Sequence, residues 1–113
     1  MTAYNRGDVI LVPYPFGERA SGRKRPALVV SPEEYNQATG ELIIAQITGR
    51  QSAPTRKGDY SIQDWKQANL PHPAIVRCRL ATLRTTLVLR RLGTLTDEDF
   101  DGARKALSGL FSP

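Results

Sequence analysis

The sequence predicts a mainly β protein, a small and strongly curved antiparallel barrel with short helices and a helix at its C-terminal end. Five or six short apolar segments are separated by long polar loops, and one well-capped helix follows the last of them. The chain has 113 residues, of which 40% are hydrophobic and 24% charged. This size supports one hydrophobic core and not two. We therefore expect a single domain over residues 1–113.

The first two strands are predicted by runs of consecutive apolar residues. Val9 to Val12 and Ala27 to Val30 are apolar at every position, whereas a strand with one face in water alternates with polar residues. Both faces of each strand must therefore be covered by protein. A polar, basic loop joins the two strands and contains Arg19.

A short helix or turn is predicted next, with Ser31 as its N-cap and Pro32 at the first helical position. The segment from Glu41 to Thr48 then alternates between two faces and is predicted to be a strand. One face is apolar, and its members are Ile43, Ala45 and Ile47. The other face becomes polar towards its end, at Gln46 and Thr48.

The second half of the chain contains further short segments. Asp59 to Ile62 is predicted to be a short strand, and Trp65 is predicted to pack in the core or at its rim. An extended segment starts at Ala74, and alternation along it places Arg77 and Arg79 side by side on one face. A last strand is predicted near Leu87 to Arg91.

The C-terminal helix has the most specific start signal in the sequence. Thr96 is a suitable N-cap, and three carboxylates follow it in the first turn, where they complement the helix dipole. The apolar residues recur at helical spacing and predict one face packed on the sheet. They are Phe100, Ala103, Leu107 and either Leu110 or Phe111.

The charge distribution favours a polyanionic partner. The net charge is +5, and no acidic residue lies between Asp64 and Asp97. Arginine strongly outnumbers lysine, and its planar guanidinium pairs bidentately with phosphate and stacks on bases. The alternative is a soluble protein that is merely basic, and composition alone does not separate the two.

Several functional classes lack support in the sequence. No apolar run approaches the roughly 20 residues of a membrane span, and the N-terminus lacks a signal peptide, so a cytosolic protein is expected. One cysteine, Cys78, and one histidine, His72, cannot build a conventional zinc site. The eleven carboxylates are dispersed, and no nucleotide-binding, redox or hydrolase motif occurs. We therefore expect neither a metal nor a cofactor.

Several segments together resemble the MazF/PemK/Kid family of toxin endoribonucleases. The most specific are RGDVILVPYPF, from Arg6 to Phe16, and KRPALVVS, from Lys24 to Ser31. The strand ending in QIT, the strand IVRC and the segment LGTLTDEDF also match, so the resemblance covers essentially the whole chain. It implies an SH3-like barrel, a homodimer, and metal-independent, sequence-selective cleavage of single-stranded RNA that inhibits translation and growth. It also implies a MazE-like antitoxin whose acidic segment occupies the RNA groove.

The resemblance implies catalytic roles for Arg25 and Thr48. Pro26 biases Arg25 towards extended backbone at the start of a buried strand, which would fix the backbone and leave the guanidinium to meet a phosphate. Without the resemblance, the sequence favours a surface arginine beside a strand for Arg25 and a good β-former at a strand end for Thr48.

Further residues are predicted to contact RNA through their positions in the loops and strands. They are Arg19, Ser21, Arg23, Lys24, Gln46, Arg50, Arg77 and Arg79. The loops Gly17 to Lys24 and Gly49 to Gly58 would border the RNA groove. Tyr14 or Phe16 would stack on a base, with core packing as the alternative.

One departure from the family concerns the general base. Kid-like members have VRCD in the strand near Cys78, whereas this chain has Arg79 where the aspartate stands. An arginine stays protonated and cannot act as a base. Glu18 is a possible base by position only, and an exposed glutamate is more often just solvated. His72, between two prolines, is predicted to shape a turn.

Two rival functions remain open on the sequence alone. The first is a basic barrel that binds nucleic acid or an acidic protein segment without cleaving anything, and the substitution at Arg79 is its main support. The second is recognition of double-stranded nucleic acid or of a protein such as gyrase. Cleavage that depends on Arg25 would separate the enzyme from both.

Overall fold

Six antiparallel strands form one sheet in the residues that the computed structural model describes, which are 3–14, 23–49 and 55–112. In chain order they are β1 (Asp8–Tyr14), β2 (Arg23–Val29), β3 (Glu41–Gly49), β4 (Tyr60–Ser61), β5 (Ala74–Arg84) and β6 (Arg90–Thr94). The helices in the same residues are α1 (Glu33–Thr39), α2 (Asp97–Ser108) and a 3-10 turn, Thr85–Leu87. The spatial order of the strands is β4-β5-β3-β2-β1-β6, and the sheet curls into a half-barrel. The predicted β class with a C-terminal helix is confirmed.

Both faces of β1 and β2 are packed against protein, as their consecutive apolar residues predict. Val9 and Leu28 are register partners and belong to one cluster of buried side chains, which also includes Ala103 of α2. Ile10 and Ala27 are the next register pair and belong to a second cluster. Fully burying a large aliphatic side chain stabilises the fold by roughly 1.5–3 kcal/mol. Burial on both faces therefore fixes these two strands firmly inside the sheet.

β3 also follows the predicted alternation. Leu42 and Ile44 contribute to the second cluster, whereas Ala45 and Ile47 contribute to the first. The strand pairs with β2 on one side and with β5 on the other. β3 is the third of six strands in the spatial order of the sheet, and Gln46 has register partners on both sides, Ala27 of β2 and Arg77 of β5.

α1 begins one residue later than the sequence predicts. Its N-cap is Pro32 and not Ser31. The Ser31 hydroxyl is used elsewhere, since it donates to the Asn36 side chain and accepts from the backbone N–H of Ile43 at 2.9 Å. Asn36 in turn donates to the carbonyl of Tyr4 at 2.9 Å. These side chains join α1 to β3 and to the N-terminal segment.

The strands of the second half differ from prediction in their bounds. β4 has two residues instead of the predicted four. The last strand starts three residues later than predicted, because Thr85–Leu87 turns the chain before β6 pairs with β1. Trp65 is half-buried against the first cluster, which confirms its predicted packing.

α2 starts as the sequence predicts. The Thr96 hydroxyl accepts a hydrogen bond from the backbone N–H of Asp99 at 3.1 Å, and Ala103 faces the core. The predicted apolar face stops with the helix, and the residues beyond it are exposed, namely Leu110 and Phe111. Among the described residues, no helix is long and apolar enough to cross a membrane.

Candidate functional site

A cavity of about 400 Å³ opens where residues of β2 and β3 meet the connection between β4 and β5. Its size lies within the roughly 300–1,000 Å³ of ordinary ligand pockets. Its lining residues are Arg23, Arg25, Pro26, Gln46, Ile47, Thr48, Gly49, Leu70, Pro71, His72, Pro73 and Ala74. Four residues that the sequence singles out, two in β2 and two in β3, are therefore brought together.

β2 presents its arginines to the cavity through the alternation of side chains along a strand. Arg23 and Arg25 line the cavity, whereas Lys24 between them is exposed and does not. Arg25 is half-buried and lies opposite Val12 of β1. Pro26 follows it and disfavours helical backbone at Arg25. The guanidinium of Arg25 is thus carried by backbone that is fixed in the sheet.

β3 contributes an amide and a hydroxyl from its last residues. Gln46 lies opposite Ala27 of β2, and Thr48 lies opposite Ile75 of β5. Both side chains are half-buried and both line the cavity. Because they are two positions apart on one strand, they point to the same side of the sheet. The hydroxyl of Thr48 therefore faces the same space as the guanidinium of Arg25.

The charged groups of the described lining are positive. Arg23 and Arg25 supply guanidinium groups, and no aspartate or glutamate is among the described lining residues. Nowhere in the described ranges do three or more His, Cys, Asp or Glu side chains form a group that could hold a metal ion. Guanidinium groups pair bidentately with phosphate and carboxylate. The lining therefore suits a polyanionic ligand.

A further wall of the cavity is formed by the connection that precedes β5. Leu70 and Ala74 are buried and anchor its two ends in the first cluster. Pro71, His72 and Pro73 lie between them, and His72 is exposed. The sequence predicts only a turn for this histidine, and the turn lies directly on the cavity.

Arg77 forms a buried ion pair and does not project beside Arg79 as the sequence predicts. It donates to both carboxylate oxygens of Asp59, from Nε at 3.0 Å and from Nη2 at 2.7 Å. The Arg77 hydrogen bond is the main cause that lowers the pKa of Asp59 below 3.8, and the same bond raises the pKa of Arg77. Asp59 also accepts from the backbone N–H of Arg56 at 2.9 Å. Arg77 therefore ties the 56–59 turn to β5 through this ion pair, and its predicted contact with RNA stays a prediction.

A β-bulge separates Arg77 from Arg79. Ala45 of β3 faces Leu80, but the next residue, Gln46, faces Arg77, so β5 carries two extra residues between these pairs. Such a bulge interrupts alternation and turns the following side chains. Arg79 is consequently exposed and outside the cavity lining. The predicted shared face of the two arginines is wrong for this reason.

Several predicted site residues lie outside the described residues. They are Phe16, Glu18, Arg19, Ser21 and Arg50. Tyr14 ends β1, and its side chain is likewise outside the described part. Their predicted roles in stacking, base catalysis and RNA contact stay predictions.

The amino-acid sequence matches the family of PemK-like, MazF-like toxins of type II toxin-antitoxin systems over residues 5–111. This match spans all six strands and both helices. The chain belongs to this toxin family. The resemblance noted in the N-terminal strands is thereby confirmed. Among curated protein sequences, none matches the chain.

The fold of this MazF-like toxin is similar to that of several solved toxin structures. A chain of the MazE-MazF complex (Form-II) from Deinococcus radiodurans has a TM-score of 0.77 and 18% identity, with 99% of this chain and 98% of that chain covered. An endoribonuclease in complex with its cognate antitoxin from Mycobacterial species has a TM-score of 0.78 and 20% identity, with 98% of each chain covered. The toxin MazF-mt6 from Mycobacterium tuberculosis has a TM-score of 0.74 and 16% identity, with 92% and 95% covered. At these identities the likeness is one of fold.

Two residues of the toxin were not predicted to belong to the site region. His72 lines the cavity, and Asp59 holds Arg77. A signal for His72 exists in the sequence, since two prolines around a histidine restrict the backbone there. No local pattern indicates the Asp59 pair, because the two residues are 18 positions apart and are joined only by the pairing of β4 with β5.

Proposed function

We propose that this toxin is a metal-independent, sequence-selective endoribonuclease that cleaves single-stranded RNA, including mRNA, and thereby inhibits translation and growth. The observation that carries the proposal is the common cavity of Arg25 and Thr48, which come from two strands and match the family's catalytic positions. Membership of the toxin family supports it.

The chemistry follows from the groups on the cavity. The 2′-hydroxyl of a ribose attacks the neighbouring phosphorus, the bond from phosphorus to the 5′-oxygen breaks, and a 2′,3′-cyclic phosphate and a 5′-hydroxyl result. Arg25 stabilises the charge that develops on the pentacovalent phosphate, and Thr48 donates a hydrogen bond to a non-bridging oxygen. Donors that are fixed before the reaction stabilise the transition state without reorganising.

Neighbouring groups would hold the RNA on either side of the cleaved bond. Arg23 and Gln46 line the same cavity, so we place a phosphate and a base edge beside them. Lys24 is exposed on the other side of β2 and would contact only a longer RNA. The loop residues Arg19, Ser21 and Arg50 keep their proposed RNA contacts. Stacking by Tyr14 or Phe16 would contribute about 1–3 kcal/mol per base.

The proposed partners are a second copy of the chain and an antitoxin, and the proposed location is the cytoplasm. The MazE-MazF complex and the mycobacterial endoribonuclease were solved with their antitoxins. For this toxin, an acidic antitoxin segment would occupy the cavity through Arg23 and Arg25. Leu87 and Leu89 are 40% and 49% exposed, and these neighbouring apolar side chains favour a homodimer contact near β6.

The test is incubation of a long single-stranded RNA with purified protein in EDTA, followed by mapping of the fragment ends. Arg25→Ala and Thr48→Val remove the guanidinium and the hydroxyl, and each is expected to slow cleavage by at least about 100-fold. Arg104→Ala is the matched control, because Arg104 is exposed on α2 and pairs only with the equally exposed Asp101 in the described structure. Discrete cuts with cyclic phosphate ends are expected for the wild type and for this control.

The outcome also separates the rival functions. Intact RNA at high protein concentration, together with a retained mobility shift, would mean a non-catalytic nucleic-acid-binding module. Intact RNA without a mobility shift would favour the second rival function, recognition of double-stranded nucleic acid or of a protein partner.

A further inference from the structure

His72 is held on the cavity by its neighbours in the chain. Pro71 and Pro73 restrict the backbone on both sides of it, and both prolines line the same cavity. The buried residues Leu70 and Ala74 fix the ends of this short segment. The imidazole is exposed. A rigid backbone therefore presents an accessible ring to the space that Arg25 and Thr48 share.

Cleavage by the 2′-hydroxyl needs a proton acceptor, and the described lining offers few. The guanidinium groups of Arg23 and Arg25 stay protonated and only donate. The Thr48 hydroxyl and the Gln46 amide are far too weakly basic, and no carboxylate is among the described lining residues. Imidazole is the side chain that accepts and releases a proton near neutral pH.

We propose that His72 is the general base of the cleavage reaction, which makes this inference rest on the endoribonuclease proposal. A ring nitrogen of neutral His72 accepts the proton of the 2′-hydroxyl as the 2′-oxygen bonds to phosphorus. The electron pair of the broken bond goes to the 5′-oxygen, which takes a proton from a solvent water. The imidazolium then returns its proton to the resulting hydroxide. Protons and electrons balance without a metal or a cofactor.

The charged groups that line the cavity with His72 influence how the cleavage rate depends on pH. From β2, Arg23 and Arg25 face the same cavity. From β3, the lining residues Gln46, Thr48 and Gly49 carry no titratable group. The connection itself contributes no titratable side chain other than His72 between residues 70 and 74. A base role therefore predicts that the rise of the cleavage rate with pH requires His72.

The experiment compares wild type, His72→Gln and His72→Ala in single-turnover cleavage of the same RNA under saturating protein. Affinity is measured separately with a 2′-O-methyl RNA, which lacks the attacking hydroxyl. Both variants are expected to bind within about threefold of wild type and to cleave at least about 100-fold more slowly. The wild-type rate should rise with pH and then level off, and this step should disappear in His72→Gln.

Added imidazole provides the sharpest readout. It should restore cleavage by His72→Ala in proportion to its concentration, whereas Thr48→Val, which keeps His72, should gain nothing. A merely structural role for His72 would not produce such rescue.

Each contrary result has a distinct meaning. Cleavage by the His72 variants within about threefold of wild type would overturn the base role and leave the endoribonuclease proposal intact, since Arg25→Ala would still be inactive. Weaker binding with an unchanged rate at saturation, or slow cleavage that keeps its pH step and ignores imidazole, would also overturn it. An inactive wild type would remove the parent proposal and the base role together.

Discussion

Asp99 lies in the first turn of α2 and is 1% exposed. It accepts hydrogen bonds from the Tyr60 hydroxyl at 2.6 Å and from the backbone N–H groups of Gln63 and Asp64 at 2.9 Å each. Burial acts to raise the pKa of Asp99, but these hydrogen bonds outweigh it and hold the pKa below 3.8. Burial and the nearby carboxylate raise the pKa of Tyr60 to about 12. The charged form of Asp99 therefore joins α2 to the segment that follows β4.

Asp99→Asn should destabilise the protein in a pH-dependent way. The amide keeps the shape but replaces one acceptor with a donor, and we expect the free energy of unfolding to fall by about 1–3 kcal/mol at neutral pH. Since the folded-state pKa of Asp99 is lowered, its contribution is complete above the unfolded-state value and is lost as pH falls through the folded-state pKa. The difference between the two proteins should thus shrink below about pH 3.8. Urea unfolding between neutral pH and pH 3 measures it.

Asp97→Asn is the matched control, because Asp97 is an exposed carboxylate in the same turn. Loss of the Asp97 charge should lower the free energy of unfolding by about 0.3–1 kcal/mol, through the interaction with the helix dipole alone. Equal destabilisation by both substitutions would contradict the role given to the Asp99 hydrogen bonds.

The positions of Arg25 and Thr48 were accessible from the sequence, whereas the surroundings of Arg77 and His72 were not. Arg25 precedes a proline at the start of an apolar run, and Thr48 ends an alternating strand, so both are located by local pattern. The ion pair of Arg77 depends on a bulge and on a turn 18 residues away. The site role of His72 depends on how residues 70–74 approach β2 and β3, which is a tertiary property.

Gly102 allows α2 to approach the ring of Tyr60. A Cβ built on this glycine would lie 2.2 Å from Cε1 of that ring and 2.7 Å from Cζ. The ring cannot move away easily, because its hydroxyl is bonded to Asp99. The close packing of α2 on β4 therefore requires glycine at this position.

Gly102→Ala should destabilise the protein even though alanine is the better helix former. Helix propensity alone would raise the free energy of unfolding by about 1 kcal/mol. The clash with Tyr60 should outweigh this gain and lower the free energy of unfolding by a net amount of about 1–3 kcal/mol. In a Tyr60→Ala background the ring is absent, and the same substitution should become stabilising. Thermal and urea unfolding of the four proteins in this cycle give the coupling energy. A stabilising Gly102→Ala in the wild-type background would contradict the packing argument.

Strands with a strong local pattern were predictable, and strands shaped by their neighbours were less so. β1, β2 and β3 follow from apolar runs and alternation, and α2 follows from the Thr96 cap. The sequence predicts the start of the last strand three residues too early, because Leu87 is apolar and yet belongs to the 3-10 turn. The alternation predicted along β5 fails at the bulge. The two extra residues there are defined by the pairing of β5 with β3, so the sequence of β5 by itself does not reveal them.

The charge of the entire protein and the charge of its cavity act in the same direction. The chain carries +5 overall, and the described lining of the cavity has two guanidinium groups and no carboxylate. The net charge attracts a polyanion over a distance set by the salt concentration. In the proposed function, the two arginines then bind individual phosphates. The long-range attraction arises from all charges together, whereas each arginine–phosphate contact can be removed by substituting one residue.

The affinity for RNA should therefore depend on salt, and the dependence should report the cavity arginines. Each phosphate neutralised on a single strand contributes about −0.7 to the slope of log K against log salt. Arg23→Ala and Arg25→Ala should each make the slope shallower by about that amount, because each removes one proposed phosphate contact. Arg104→Ala lowers the net charge equally but lies on α2, so it should change the affinity slightly and leave the slope nearly unaltered. Titration of a 2′-O-methyl RNA at several salt concentrations measures all four proteins without cleavage. Identical slopes for the three variants would mean that the RNA is held by overall charge and that its phosphates do not meet Arg23 and Arg25.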